Sequence, residues 1–225
     1  MPFTVEQFFE VFRAYNLAVW PAQWLLTLAG AVCVVAAASR RPAGGRIALL
    51  VLAGLWLWMA VAYHLAHFAS VNPAAPIFAA LFALGAALFA RRALRSPAPR
   101  CELRRDARGV GGAALALFGL AVYPLLNRLF GDSFPAAPGF GLPCPTTIFT
   151  LGVLGWIRPH PERALLAVPM LWSFVGATAA VALDVPQDYV LALAGLWGIA
   201  LAARWLRGDA EGPETAPGWG RRDRT

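Results

Sequence analysis

Two histidines and one cysteine are the side chains of this sequence best suited to bind a metal ion. His64 and His67 are three residues apart, so both imidazoles would lie on one face of a helix. Cys144 follows later in the chain, and a thiolate together with imidazole nitrogens suits a soft metal ion. His64, His67 and Cys144 therefore form a candidate metal site. Two alternatives stay open for the histidines: proton transfer, or a hydrogen bond to a backbone carbonyl at a membrane interface.

The segment at 139–150, GFGLPCPTTIFT, places Cys144 between two prolines. Proline interrupts regular helix. We therefore predict an irregular backbone at Cys144 and a helix that begins with Thr146 and Thr147, with Pro145 in its first turn. Backbone amides at a helix start stabilise a nearby thiolate. Cys144 is then a reactive thiol or soft-metal ligand or, alternatively, a small buried thiol in a tight turn.

Further polar residues stand at the ends of apolar segments, where they could line a shared vestibule. Polar groups inside a membrane are costly and therefore often functional. The predicted substrate-binding residues are His64, Asn72, Tyr123, Asn127, Cys144, Thr146, Thr147 and Asp184. Asp184 is chosen from a group, with Gln187 and Asp188, between the last two apolar segments. The alternative is that residues next to loops are polar in any membrane protein.

The composition of the chain places these residues in a membrane protein. The sequence is 59% hydrophobic and 14% charged, whereas a soluble domain is about 25% charged. The net charge of +7 could suggest nucleic-acid binding. The arginines lie between apolar segments rather than on one face, so we exclude nucleic acid as a partner. The bias toward Ala, Gly, Pro and Arg, without any lysine, indicates a GC-rich bacterial genome.

Seven apolar segments predict an all-α, polytopic membrane bundle of about seven transmembrane helices. A span needs about 20 mostly apolar residues. The segments lie at about 18–38, 47–68, 75–91, 110–127, 145–157, 164–183 and 188–206. The fifth is too short alone and can span only if part of 134–145 also enters the membrane. The sequence leaves open whether that stretch is re-entrant or an outer loop.

The arginines give the predicted orientation. If the seven segments alternate, 17 of the 19 positive residues fall on one side, and Arg13 and Arg128 fall on the other. Cytoplasmic loops carry an excess of positive charge, so the arginine-rich side is predicted to be cytoplasmic. The N-terminus is then outside, and the C-terminus lies in the cytoplasm, with the protein in a bacterial inner membrane.

Three regions divide the chain. Residues 1–16 are predicted to form an amphipathic helix that lies in the membrane interface or packs on the bundle, with Thr4 as N-cap and Gln7 completing a capping box. Residues 17–207 form the transmembrane bundle. Residues 208–225 are rich in Gly, Pro and charge and are predicted to be a disordered cytoplasmic tail. The start of the chain lacks the basic-then-apolar order of a cleavable signal peptide.

Seven spans with an outer N-terminus also suggest retinal and haem proteins, and the sequence argues against both. Retinal attaches through a lysine, and the chain has none. Haem bridging needs histidines on facing spans, but His64 and His67 share a segment, and His160 is predicted on the cytoplasmic side. The cofactor therefore stays unknown, with a soft metal ion as the one candidate.

Several stretches of the sequence resemble an uncharacterised family of bacterial multi-pass membrane proteins, known as a domain of unknown function. They are MPFTVEQFFEVFRAYNLAVWP, AYHLAHFASVNPAA with its YHxxxFxxxNPAA pattern, PCPTTIFT, and VPMLWSFVGATAAVALDVPQDYVL. The resemblance reaches to about residue 206 and implies a membrane location without an activity. It also implies a histidine at His64 and an aromatic residue where His67 stands, which weakens a metal site made by both histidines.

Three functions are open at this point. The first is binding or transport of a small solute or metal ion through an outward-facing polar vestibule. The second is a structural or partner-interacting membrane protein without catalysis. The third is a membrane enzyme that uses His64 or Cys144 with Asp184, although the sequence has no known hydrolase, transferase or redox motif. The first is preferred because polar residues cluster beside a broken helix. The expected partners are the lipid bilayer and a small solute or metal ion, and the oligomeric state stays open.

Overall fold

Helices dominate the computed structural model, which describes residues 2–39, 41–131 and 133–206. The helices are α1 (Val5–Ala18), α2 (Ala22–Ala38), α3 (Pro42–Trp58), α4 (Ala75–Leu94), α5 (Ala107–Leu117), α6 (Tyr123–Leu129), α7 (Pro143–Leu154), α8 (Arg163–Leu183) and α9 (Val190–Leu206). Two strands, β1 (Arg100–Cys101) and β2 (Ile157–Arg158), pair antiparallel. The prediction of an all-α bundle is confirmed. The predicted tail at 208–225 lies outside the described residues.

Four helical stretches are long and apolar enough to cross a membrane. They are Ala43–Ser70, Ala75–Leu94, Ala107–Leu129 and Arg163–Leu183. A fifth candidate is the pair of α1 and α2, which are bent by 89° at the break between them. Each of the seven apolar segments identified in the sequence contains a helix, but α7, with 12 residues, is too short to span alone.

The N-terminal helix α1 begins with the predicted capping box. The Thr4 hydroxyl accepts from the Gln7 N–H at 3.2 Å, and the Gln7 side chain accepts from the Thr4 N–H at 2.9 Å. The helix runs slightly further than 1–16, and its aromatic face packs against α3 and the segment that follows it. There Trp58 donates from Nε1 to the Tyr15 hydroxyl at 2.7 Å. This helix therefore packs on the bundle, and its place in the membrane interface stays a prediction.

Two π-helical segments interrupt the long helices. Met59–Leu65 continues α3, and Phe118–Val122 joins α5 to α6. Pro124 lies in the first turn of α6. Its ring clashes with the preceding turn of a regular helix, and it has no backbone N–H to donate to that turn. The wider π-helical turn directly before it relieves the clash. π-Helical turns often occur at functional sites, and these two precede or contain side chains of the cavity described below.

Glycine allows α7 to lie directly against α5. A Cβ atom on Gly112 would stand 2.7 Å from the Gly152 carbonyl oxygen, and one on Gly152 would stand 2.6 Å from the Gly112 oxygen. Small residues permit such close helix contacts in membrane proteins. Apart from Cys144, every residue of α7 is buried, so this short helix is enclosed by its neighbours.

The prediction of an irregular backbone at Cys144 was wrong. α7 begins at Pro143, with Leu142 as N-cap, so Cys144 is helical and lies in the first turn. The N–H groups of a first turn have no partner within the helix. Proline at 143 and 145 therefore removes donors that the helix does not use. The irregular stretch ends before Pro143 rather than at Thr146.

The arginine-rich end of the bundle is held by loop contacts. β1 and β2 pair the loop after α4 with the loop after α7. Arg108 is buried and donates to the backbone carbonyls of Pro159 and Ile157. Arg92 pairs with Glu162 at 2.7 Å. The candidate site lies at the opposite end of the helices.

Candidate functional site

A cavity of about 260 Å³ lies where α1 meets the ends of α3, α6, α7 and α8. Aromatic rings form much of its wall. The rings that line it are Phe3, Phe8, Phe12, Tyr63, Phe68, Phe78, Tyr123 and Trp172. Among the lining residues, Pro2 and Thr178 are exposed, so the cavity reaches the surface between the start of α1 and the C-terminal half of α8.

The aromatic wall is assembled from segments distant in sequence. Phe3 and Phe8 of the N-terminal region stack at a centroid distance of 5.8 Å. Tyr63, in the π-helical segment after α3, stacks on Phe68 at 5.5 Å and on Phe12 at 6.0 Å. These ring pairs therefore pack against one another along the wall.

Asp188 provides the polar part of the wall. Its carboxylate accepts a hydrogen bond from the Tyr123 hydroxyl at 2.6 Å, and Cys144 lines the same cavity. Asp188 is 6% exposed and Tyr123 is fully buried. A buried carboxylate requires such donors, because removing it from water without them costs several kcal/mol.

Three chain segments bring these side chains together. Tyr123 follows the π-helical segment at the start of α6, and Cys144 lies in the first turn of α7. Asp188 belongs to a 3-10 turn, Pro186–Tyr189, between α8 and α9. Because each residue lies at the end of a helix, the carboxylate stands where three helix ends meet.

A second layer of hydrogen bonds holds the turn that carries Asp188. The Gln187 amide donates to the Asn127 side-chain oxygen at 2.9 Å. The Asn127 amide donates in turn to the Pro138 carbonyl. Asn127 is buried and does not line the cavity around Asp188. Through these two hydrogen bonds, Asn127 of α6 connects the 3-10 turn to the loop before α7.

Two further polar side chains line the cavity. The Asn72 side-chain oxygen accepts from the Ala74 N–H at 2.9 Å, which turns the chain into α4. The Trp172 Nε1–H is buried and has no partner within the described part of the chain. An unpaired indole N–H at a cavity wall can donate to a bound molecule or to water.

His64 lies behind this wall and not in it. Its side chain is fully buried, with ring centroids 4.6 Å from Phe82 and 5.3 Å from Trp172. Neither imidazole nitrogen has a partner among the described residues. The His67 Nδ1 lies 2.7 Å from the Ala62 carbonyl oxygen, which is the backbone contact considered from the sequence.

The remaining predicted site residues also lie outside the cavity. The Thr146 hydroxyl accepts from the Gly141 N–H at 3.0 Å, and Thr147 is buried. Asp184 is exposed and ends α8 in a left-handed conformation, with φ of 53°. The structure therefore brings Asn72, Tyr123 and Cys144 together at the cavity, with Asp188 rather than Asp184.

Asp188 and the aromatic wall were not among the predicted site residues. Asp184 and Asp188 both lie between the same two apolar segments. Nothing in their spacing distinguishes the exposed helix end at Asp184 from the buried turn at Asp188. The aromatic residues of α1 were visible as one face of a helix, but the segment that they pack against was not.

Metal ligands do not gather in the described ranges. No group of three or more His, Cys, Asp or Glu residues is placed there to hold a metal ion. Cys144 lines the cavity, whereas His64 does not. The cavity presents apolar rings, one carboxylate and a few hydrogen-bonding groups.

The fold and the cavity define an α-helical bundle with several helices of membrane-spanning length and an internal cavity of ligand size. The chain belongs to a family of unknown function, DUF6064, whose model matches residues 5–209. The match covers the bundle almost completely. No curated protein and no solved structure matches the chain.

Proposed function

We propose that this chain is a seven-span protein of a bacterial cytoplasmic membrane that binds a small organic solute in its aromatic cavity. The N-terminus and the cavity face the outside, and the C-terminal tail lies in the cytoplasm. The observation that carries the proposal is the cavity itself, in which a buried carboxylate and an unpaired indole N–H interrupt an otherwise apolar wall.

The seven-span topology is supported by the charge pattern and by the burial of α7. Seven alternating spans leave 17 of 19 arginines on one side, as the positive-inside rule requires. A short helix at membrane depth is tolerated where protein surrounds it. The burial of α7 meets that condition, so its length does not argue against a crossing made with the stretch before it.

Solute binding is favoured over catalysis by the surroundings of Cys144. Nucleophilic cysteines lie beside cations or histidine, whereas Asp188 is the one charged residue among the described residues that line the cavity with Cys144. A purely structural role does not require a cavity of this size beside a buried carboxylate, since protein interiors are otherwise close-packed.

The proposal is tested by modifying Cys144 in membranes with the small neutral reagent methyl methanethiosulfonate. Cys33 and Cys101, which are buried, are first replaced by alanine so that Cys144 is the single thiol. We expect Cys144 to react in the folded protein. Ala179→Phe places a ring in the cavity and is expected to slow the reaction strongly.

Val181→Phe is the matched control. Val181 is two residues further along α8, is 71% exposed and does not line the cavity, so its substitution should leave the rate unchanged. An unreactive Cys144, or a rate that both substitutions change equally, would contradict a cavity open to solutes.

A further inference from the structure

We infer that the cavity selects a small organic cation, an ammonium group on an apolar body, and that Asp188 is its counter-charge. The inference rests on the proposed function, because it names the class of solute for the same cavity. It follows from the charges that line the wall, from the aromatic faces beside them, and from the hydrogen-bonding capacity that Asp188 retains.

Asp188 is the one charged side chain among the described residues that line the cavity. No arginine or histidine of these residues stands in the wall to balance it. The electric field of a carboxylate surrounded by apolar groups is screened far less than it would be in water, because the dielectric constant of its surroundings is low. The cavity therefore favours positive charge and disfavours anions.

The aromatic wall suits a cation as well as an apolar body. The face of an aromatic ring is negative, and a cation within about 6 Å of its centre is attracted to it. Tyr63, Phe68 and Trp172 line the same cavity as Asp188. A quaternary or primary ammonium group can thus have the carboxylate on one side and aromatic rings on the other.

Asp188 keeps acceptor capacity for such a ligand. A carboxylate has about four lone-pair positions. The Tyr123 hydroxyl donates to it and leaves positions free. This hydrogen bond favours the ionised carboxylate, and no basic side chain among the described residues that line the cavity neutralises it.

The same wall fits an inorganic cation poorly. Hard cations such as Ca²⁺ take six to eight oxygen ligands, and soft ions need several thiolate or imidazole ligands. The cavity offers one carboxylate, two phenol hydroxyls, one threonine hydroxyl, one amide and one thiol among its lining groups, and most of its surface is aromatic or aliphatic. An organic cation uses both kinds of surface.

The test compares two reagents that modify Cys144 with opposite charge. The single-cysteine protein in membranes is treated with 2-aminoethyl methanethiosulfonate, which is cationic, or with 2-sulfonatoethyl methanethiosulfonate, which is anionic. Each rate is divided by the rate of the same reagent with a free thiol in solution. The ratio of the two corrected rates reports the charge preference at Cys144 and cancels the reactivity of the thiol itself.

We expect the ratio to favour the cation by at least about tenfold, and Asp188→Asn to remove most of that preference, because a charge in a low-dielectric site acts over several ångströms. Glu10→Gln is the matched control. It removes the same charge from an exposed position of α1 that does not line the cavity, and should leave the ratio unchanged. A ratio near one, or a ratio that Asp188→Asn does not alter, would overturn the inference.

A second measurement needs no variant at Asp188. Phenyltrimethylammonium and its uncharged isostere tert-butylbenzene are compared as protectants of Cys144 against methyl methanethiosulfonate. We expect the cation to protect at the lower aqueous concentration, although the hydrocarbon accumulates in lipid. Equal or weaker protection by the cation would overturn the inference. If Cys144 reacts with the neutral reagent but shows no charge preference, the proposal of solute binding stands and the inference of a cationic solute is wrong. If Cys144 reacts with no reagent, both the proposal and the inference are wrong.

Discussion

Asp188 and His64 are both buried polar residues, but their surroundings give them different roles. Asp188 accepts a hydrogen bond from Tyr123 and lines the cavity. His64 is packed among rings, and neither of its nitrogens has a partner in the described ranges. Buried polar groups are usually paired. At the residue scale, Asp188 is therefore a candidate for ligand contact, whereas His64 shapes the wall from behind through Trp172.

The unpaired nitrogens of His64 lead to a stability prediction. A buried polar group without a partner costs about 1–3 kcal/mol, so His64→Leu should leave the protein as stable as the parent or more so. His64→Gln keeps an unpaired polar group and should be less stable than His64→Leu. Thermal unfolding of the detergent-solubilised protein measures both. A His64→Leu protein that unfolds well below the parent would show that the imidazole has a partner, and that this account of it is wrong.

Among the contacts between secondary-structure elements, the close contact between α5 and α7 decides where Cys144 lies. It holds α7 in the middle of the bundle and so fixes the position of Cys144. Gly152→Ala would place a methyl group 2.6 Å from backbone atoms of α5. We expect a loss of about 1–3 kcal/mol of stability from overpacking, together with an altered Cys144 modification rate.

Gly54→Ala is the control for that substitution. A Cβ at Gly54 meets nothing within 4 Å, and alanine is favoured over glycine in a helix by about 1 kcal/mol. Thermal unfolding should therefore show Gly54→Ala at or above the parent and Gly152→Ala below it. The same change in both proteins would contradict the close-contact explanation.

The N-cap of α5 gives a prediction about pH. Asp106 accepts from the Gly109 N–H at 2.8 Å, and this hydrogen bond holds the pKa of Asp106 below its ordinary value of 3.8. A carboxyl whose pKa is lowered on folding stabilises the protein above its unfolded-state pKa, and the contribution is lost as the pH falls through the folded-state pKa. Asp106→Ala should therefore cost about 1 kcal/mol at neutral pH and progressively less below the ordinary pKa.

Asp106→Asn separates the cap from the charge. Asparagine is as good an N-cap as aspartate and does not titrate. Its stability at neutral pH should stay near the parent, and its difference from Asp106→Ala should not depend on pH. The measurement is thermal unfolding across the acidic range. A pH-independent difference between the parent and Asp106→Ala would contradict the assigned hydrogen bond.

Most of the elements could be predicted from the sequence, because apolar segments, the Thr4 cap and the arginine-rich loops are local signals. The start of α7 could not be predicted, because a proline is typical both of a helix break and of the first turn of a helix. The sequence does not show which of the two applies to prolines 143 and 145. Asn72, Tyr123 and Cys144 were found because each lies at the end of an apolar segment. Asp188 was not preferred over Asp184, because only packing between distant helices decides which carboxylate is buried.

The two ends of the whole molecule differ. One end carries the small β1–β2 sheet with Arg100 and Arg158, and the other carries the cavity. The topology is tested with single cysteines at Ser96 and Ser133, both exposed in loops, in a protein without other cysteines. We expect a membrane-impermeant maleimide to label Ser133→Cys in intact cells, and to label Ser96→Cys only after permeabilisation. The reverse pattern, or labelling of both positions from outside, would contradict the orientation.

The most direct test of the account is the sidedness of Cys144, because it depends on the fold, the orientation and the open cavity together. The single-cysteine protein is treated with the impermeant reagent 2-(trimethylammonium)ethyl methanethiosulfonate in right-side-out and in inside-out vesicles. We expect Cys144 to be modified in right-side-out vesicles and to remain unmodified over the same time in inside-out vesicles. Modification only from the inside, or from neither side, would contradict an outward-facing solute cavity.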